Sequence, residues 1–303
     1  MPMPFVKPVS RPLNTVSEAP PVVTGAAGLR ASLRAARARG ERIALVPTMG
    51  NLHRGHLQLV RLAATRAERI VVSIFVNPLQ FGPSEDFARY PRTLQADLKA
   101  LQELGLPVLV FAPETDVFYP DGPELASRVE VGGLSEILCG ASRPGHFTGV
   151  ATVVLKLFNL VQPDVAVFGR KDYQQLQVIR RMVRDLDVPV DIVSGETVRE
   201  PDGLALSSRN AFLDAGQRRQ ATSLHATLQA LAEALVRGDA AIDELEQRGW
   251  RELEKAGLQP DYVSIRRQRD LGGAGTADRE LVVLAAARLG TTRLIDNIEI
   301  RRD

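Results

Sequence analysis

Two histidines three residues apart, His53 and His56, sit in the stretch Val46-Pro-Thr-Met-Gly-Asn-Leu-His53-Arg-Gly-His56. Residues 42–46 read as a strand ending at Pro47, and 53–68 as a helix, so the motif leaves a strand and opens a helix. A helix N-terminus presents unpaired N–H groups and a partial positive charge, which suits phosphate. Gly50 and Gly55 let the backbone approach a ligand closely. A spacing of three puts both imidazoles on one helical face. From there they can donate hydrogen bonds to a triphosphate as negative charge moves onto departing pyrophosphate. A lone histidine is more often a packing residue, but a pair in H-x-G-H straight after a strand favours function. Zinc is disfavoured, because no cysteine or acidic cluster completes a ligand set. G-x-G-x-x-G is missing at this turn, which counts against a nicotinamide or flavin cofactor.

Three further stretches carry candidate chemistry. Phe168-Gly-Arg-Lys171-Asp172-Tyr-Gln-Gln175 is again a strand-to-helix turn. Lys171 there can act as a point charge on phosphate oxygens, and Asp172 fits a helix N-cap as well as it fits a site. Gln175 is expected near the inner face, able to bind a hydroxyl or carboxylate. Leu206-Ser-Ser-Arg209-Asn places two hydroxyls and a guanidinium in one loop, suited to polyphosphate oxygens. In Ser73-Ile-Phe-Val-Asn77-Pro-Leu-Gln80-Phe a strand ends in a polar pair. Asn77 can simply shape the turn before Pro78, whereas Gln80 has no such structural duty and is the better ligand candidate. Downstream, Tyr90-Pro-Arg-Thr-Leu-Gln-Ala-Asp97 offers a carboxylate for Mg²⁺, against the plainer reading of an exposed helical Asp.

These stretches need a frame to bring them together. Helical patterns at 28–39, 53–68, 93–104, 148–161 and 172–185 alternate with strand-like runs at 42–46, 70–76, 107–111, 164–168 and 188–193. Such alternation predicts an α/β fold with a Rossmann-like parallel sheet covered on both faces. Ligands of these sheets bind outside the carboxyl ends of the strands, where the motifs lie. After a polar loop over 194–210 the rhythm changes to helices at 217–236 and 240–255, then strands at 262–266, 280–286 and 292–300. The expected division is a flexible Pro-rich leader over 1–23, a Rossmann-like domain over 24–196 and a smaller α+β domain over 197–303. The chain of 303 residues is 45% apolar and 24% charged, with a formal net charge of +2, ordinary values for a globular protein. Basic and acidic residues are interleaved, which argues against a nucleic-acid partner. No apolar run reaches membrane-span length, and the single cysteine, Cys139, suits a reducing cytoplasm.

P-T-M-G-x-L-H-x-G-H, V-N-P-x-Q-F, Y-P-R-T, R-P-G-H-F-x-G-V, K-D-Y-Q-Q and S-S-R-N occur in that order, followed by Leu289-Gly-Thr-Thr-Arg-Leu-Ile-Asp-Asn297. The set spans about Val46 to Asn297 and resembles the pantothenate synthetase family. H-x-G-H alone is shared with many nucleotidyltransferases and class I aminoacyl-tRNA synthetases, but the full ordered set is specific. The resemblance implies a nucleotidyltransferase-type Rossmann domain with a C-terminal lid, Mg²⁺-ATP, pantoate and β-alanine as substrates, and a homodimer. By matching position it implies an ATP site from Met49, Gly50, Asn51, Leu52, His53, Arg54, Gly55 and His56. Gly169, Arg170, Lys171, Asp172, Val198, Leu206, Ser207, Ser208 and Arg209 would complete that site. His56, His53 and Lys171 would be catalytic. Gln80 and Gln175 would hold pantoate, Gln80 would also border β-alanine, and Asp97 would meet the metal, although Ala96 stands where some members carry a second acid.

The implied reaction is attack of the pantoate carboxylate on the α-phosphate of ATP, followed by attack of the β-alanine amine on the acyl carbon. Two other classes stay open at this level. One is a plain nucleotidyltransferase that makes no amide, and the other a non-catalytic nucleotide-binding module. A tRNA synthetase is disfavoured by the small size and the lack of a basic surface domain.

Overall fold

The computed structural model describes residues 19–83, 85–239 and 241–302. Six strands form one parallel sheet: β1 (Val22–Val23), β2 (Ile43–Thr48), β3 (Arg69–Ile74), β4 (Val108–Phe111), β5 (Val165–Gly169) and β6 (Asp191–Gly195). Their spatial order is β1-β4-β3-β2-β5-β6, and every neighbouring pair is parallel. Successive side chains on a strand point to opposite faces, yet both sets here are apolar, because helices cover both faces. Ala44, Val46, Ile70, Val72, Val108, Val110 and Val167 pack on one side with Leu59, Val60, Ala63 and Leu101 of helices Arg54–Ala64 and Leu94–Gln102. Ile43, Leu45, Val71, Leu109, Phe111, Ala166 and Phe168 pack on the other. Their partners there come from helices Ala26–Ala38, His146–Val161 and Tyr173–Asp185.

The leader expected over 1–23 lies outside the described residues as far as residue 18. At its far end the expectation is corrected: Val22 and Val23 are β1, paired with Val110 and Phe111 at the sheet edge. A two-residue strand has no period to read, so only the pairing reveals it.

The rest of the chain builds a three-stranded antiparallel sheet in the order β7 (Gln259–Arg267), β8 (Glu280–Leu289), β9 (Thr292–Arg301). Helices Thr222–Arg237 and Ile242–Lys255 cover one face. The helix expected over 217–236 is two helices, because Asp214 starts the first, Ala215–Gln220, with a reciprocal cap to Gln217. Alternate residues of β8 serve two cores. Leu281, Val283, Ala285 and Ala287 join the local helices, while Val282 and Leu284 join the core of the parallel sheet. That double duty explains the unbroken apolar run from Leu281 to Ala287 in an antiparallel strand. Polar ties reinforce the seam: Asn297 Nδ2 donates to the carbonyls of Arg170 and Lys171 at 2.9 Å each, and Tyr173 Oη donates to Glu299 at 3.0 Å. Among the described residues, no helix is long and apolar enough to cross a membrane.

Candidate active site

The strand order reverses direction between β2 and β5, which lie side by side through Ala44–Val165 and Leu45–Ala166. Such a switch point opens a crevice beyond the carboxyl ends of the two strands. The turn after β2 carries Met49 to His56, and the turn after β5 carries Gly169 to Asp172. A cavity of about 780 Å³ lies over them, bordered by Gln80 beyond β3 and closed by the 197–210 segment.

His53 is the N-cap of helix Arg54–Ala64, and its Nδ1 accepts from the Gly55 amide at 3.1 Å. His56 Nδ1 accepts from the His53 amide at 3.3 Å, and the rings stack with centroids 4.0 Å apart. A Cβ on Gly55 would lie 2.9 Å from the His53 ring, so only glycine lets that ring fold over the helix start. Because each Nδ1 accepts a backbone hydrogen, each neutral ring carries its proton on Nε2 and keeps one donor for the cavity. Burial lowers the His53 pKa to about 4, helped by the charge of Lys171. Burial likewise lowers that of His56 to about 3, helped by His53. The fold therefore prefers both rings neutral. The unfolded chain binds more protons between about pH 3 and 6.5, so the pair withdraws stability as pH falls through that window. In the ligand-free protein, nitrogen NMR should find both rings as Nε2–H tautomers that do not titrate above pH ~5. A titration near the ordinary histidine value would overturn the assignment.

Asp97 does not stand where its sequence context suggests. It is 2% exposed, not an exposed helical residue, and does not line the cavity. Its carboxylate accepts from the amides of Asn51 at 3.0 Å and Leu52 at 2.7 Å, and from Thr93 Oγ1 at 3.3 Å. Gly50 and Asn51 have φ of 82° and 51°, so this carboxylate holds a left-handed turn ahead of the histidines. Three donors already occupy its oxygens, which leaves a poor ligand for a metal. Among the described residues no group of three or more His, Cys, Asp or Glu gathers as a metal site.

Of the other residues expected at ATP, Met49, Gly55, Gly169, Lys171 and Asp172 line the cavity, as do Val198, Leu206, Ser207, Ser208 and Arg209. Gly50, Asn51 and Leu52 do not; they shape the turn behind it. Arg54 points away, 65% exposed and 2.5 Å from Glu200. Arg170 also leaves the lining, paired with Glu196 at 2.9 Å and Glu299 at 3.0 Å. Lys171 Nζ has a loose neighbour in Asp172, 3.7 Å away. Ser208 Oγ donates to the Asn51 carbonyl at 3.3 Å, which joins the 206–210 loop to the turn after β2.

Gln80 and Gln175 both line the cavity. Asn77 does more than shape a turn. Buried at 1% exposure, its Nδ2 donates to Gln80 Oε1 and to the Gly149 carbonyl, both at 3.1 Å, while its Oδ1 accepts from Tyr119 at 3.0 Å. A Cβ on Gly149 would lie 2.2 Å from the Leu79 carbonyl oxygen, so this glycine lets the Gln80 turn press against helix His146–Val161. Gln174, next to Gln175, is structural: it donates to the carbonyls of Leu134 and Ile137 and accepts from the Cys139 amide. The chain over 112–145, which shows no period, supplies Arg143 and, just after it, His146 comes in on the next helix. Both residues stood in the R-P-G-H-F stretch without a role. Arg143 grips Glu85 through Nε and Nη2 at 2.6 Å each, and Arg209 grips Asp86 through Nε and Nη2 at 2.9 Å each. Burial alone would raise the Asp86 pKa, but the hydrogen bond and charge of Arg209 hold it below the ordinary carboxylate value.

Comparison with known proteins follows the same geometry. Residues 21–299 match the family model described as pantoate-beta-alanine ligase. A pantothenate synthetase of Halorhodospira halophila is 58% identical over 280 residues, covering 92% of this chain and 98% of that protein. That of Pseudomonas putida is 56% identical over 275 residues, covering 91% and 96%. The crystal structure of pantothenate synthetase from Thermus thermophilus superposes with a TM-score of 0.86 at 46% identity, covering 93% of this chain and 99% of the other. A Francisella tularensis pantoate-beta-alanine ligase, complexed with beta-gamma ATP and beta-alanine, gives 0.77 at 32% identity, covering 92% and 97%.

Proposed function

The chain belongs to the pantoate–β-alanine ligase family, and from that premise we propose that it joins pantoate to β-alanine at the expense of ATP, through pantoyl adenylate, with release of pyrophosphate and AMP. The observation that carries the reading is convergence. Met49, His53, Gly55, His56, Gln80, Gly169, Lys171, Asp172, Gln175 and residues 206–209, far apart in the chain, border one cavity at the switch point. The Francisella tularensis relative holding an ATP analogue and β-alanine supports the same substrates here.

In the first step a pantoate carboxylate oxygen attacks the α-phosphorus and the bond to pyrophosphate breaks. Charge grows on the pyrophosphate, where the Nε2–H groups of His53 and His56 and the Lys171 ammonium stabilise it. Gln80, held by Asn77, and Gln175 orient pantoate, with Gln80 also bordering β-alanine. Met49, Gly55, Gly169, Asp172, Val198, Leu206, Ser207 and Ser208 form the rest of the nucleotide site. In the second step the β-alanine amine attacks the acyl carbon, and AMP leaves as a phosphate monoester. Oxide is a poor leaving group, which is why the carboxylate must first become a mixed anhydride. Little covalent chemistry falls to the protein, so positioning and charge dominate.

Magnesium does not fit as an ion held by Asp97, whose oxygens are engaged by Asn51, Leu52 and Thr93. It fits better as the counter-ion that arrives with the triphosphate, kept by phosphate oxygens and water. The reading also takes the enzyme as a cytoplasmic homodimer, on the family resemblance.

The test is exchange of labelled pyrophosphate into ATP. The enzyme should catalyse it with pantoate present and β-alanine absent, and omission of pantoate should abolish it. Exchange without pantoate would favour a plain nucleotidyltransferase. A strict need for β-alanine would remove the separable adenylate.

A further inference from the structure

Two adjacent acids on the cavity wall, Glu85 and Asp86, each grip an arginine that also lines it. Glu85 is bound by Arg143, which also donates to the Gln80 carbonyl at 3.3 Å and contacts His146 Nε2 at 2.9 Å, all within the first unit. Asp86 binds Arg209 of the lid loop through two hydrogen bonds of 2.9 Å. The Tyr90 ring centroid lies 6.0 Å from the Arg209 guanidinium carbon. Glu85 thus pins the post to which Asp86 ties the lid.

From its loop alone, Arg209 is expected at polyphosphate oxygens. A guanidinium has five N–H donors in a fixed fork. The pair with Asp86 uses the Nε and Nη2 edge and leaves the Nη1 side for a ligand oxygen. A bidentate grip sets the plane of the guanidinium as well as its position. A loose arginine on a lid loop would follow the phosphates wherever they sit in the ground state, and such uniform binding does not speed the chemical step. A fixed one can be aimed at charge that appears only as pyrophosphate departs.

We propose that Asp86 is a positioning residue for adenylate formation: by gripping Arg209 from a post fixed by Glu85 and Arg143, it aims that guanidinium at the departing pyrophosphate. The inference rests on the adenylate-forming reading above. Asp86 also lines the cavity as an anion, so it opposes phosphate binding while it aims the arginine. Its removal should therefore separate turnover from affinity, which loss of fold would not do.

The experiment is a double-mutant cycle on pantoate-dependent pyrophosphate exchange, with Asp86→Asn, Arg209→Ala and the double variant. Asp86→Asn should lower kcat about tenfold, without raising the KM for ATP. Arg209→Ala should lower kcat about a hundredfold, and the double variant should be no slower than Arg209→Ala alone. Asp86→Glu, which can restore a carboxylate to Arg209, should recover part of the loss. Melting temperatures of all variants identify any that fail to fold, and the Asp86→Glu comparison then stands in for Asp86→Asn. Independent, multiplicative losses, or a raised KM at unchanged kcat, would overturn the inference while wild-type exchange leaves the proposed function standing. Wild-type protein without pantoate-dependent exchange would remove both.

Discussion

Lys171→Ala should leave the melting temperature unchanged and lower the turnover of pantoate and β-alanine by about a hundredfold to a thousandfold. The side chain carries little structure: among the described residues its ion pair is the loose one with Asp172, at 3.7 Å. The tie from the Lys171 backbone to Asn297 uses the carbonyl and survives the substitution. What disappears is a cation on the cavity wall beside two neutral imidazoles. Neutral donors stabilise developing phosphate charge less well than an ammonium, so the histidines cannot replace it. The same change should raise the His53 pKa, because the Lys171 charge is one of the causes that hold it down. Near-wild-type kcat in well-folded Lys171→Ala protein would sink the assignment of Lys171 to the phosphates.

The second large effect belongs to the histidine pair. His53→Ala and His56→Ala should each slow adenylate formation by about a hundredfold, and the double variant should fall well short of the product. The reason is geometric. The His53 amide holds the His56 ring, the rings stack at 4.0 Å, and the His53 ring in turn caps Gly55. Removing either ring frees the other, so each single change already takes part of the pair's contribution. His53→Ala and His56→Ala each also remove one half of the reciprocal cap at the start of the helix, a loss of about 1 kcal/mol of stability. Fully multiplicative losses in pantoate-dependent pyrophosphate exchange would show that the two rings act separately.

Much of this enzyme is legible without its structure. The strand runs at 42–46, 70–76 and 164–168 are apolar on both faces and alternate with helical stretches, and only a covered parallel sheet satisfies that pattern. Motifs placed between such a strand and the next helix must then lie at carboxyl ends. The positions of His53, His56 and Lys171 beside one crevice thus follow from short-range periodicity and chain direction.

Tertiary structure decided what periodicity does not encode. Gln174 and Gln175 are neighbours of one residue type on one helix and both border the cavity, but only the packing of that helix against the 134–139 segment ties the Gln174 amide to Leu134, Ile137 and Cys139 as scaffold. Asp97 reads from sequence as a carboxylate for Mg²⁺ or a plain exposed helical Asp. Its work as the clamp of a left-handed turn exists only because the turn 46 residues earlier folds back over it. Arg209 and Asp86 lie 123 positions apart, and nothing in either neighbourhood announces the other. Local propensity and pattern fix elements, because they act within a few residues. A side chain's partner depends on long-range packing of the whole chain, and that is set only when the second sheet and its loop pack on the first.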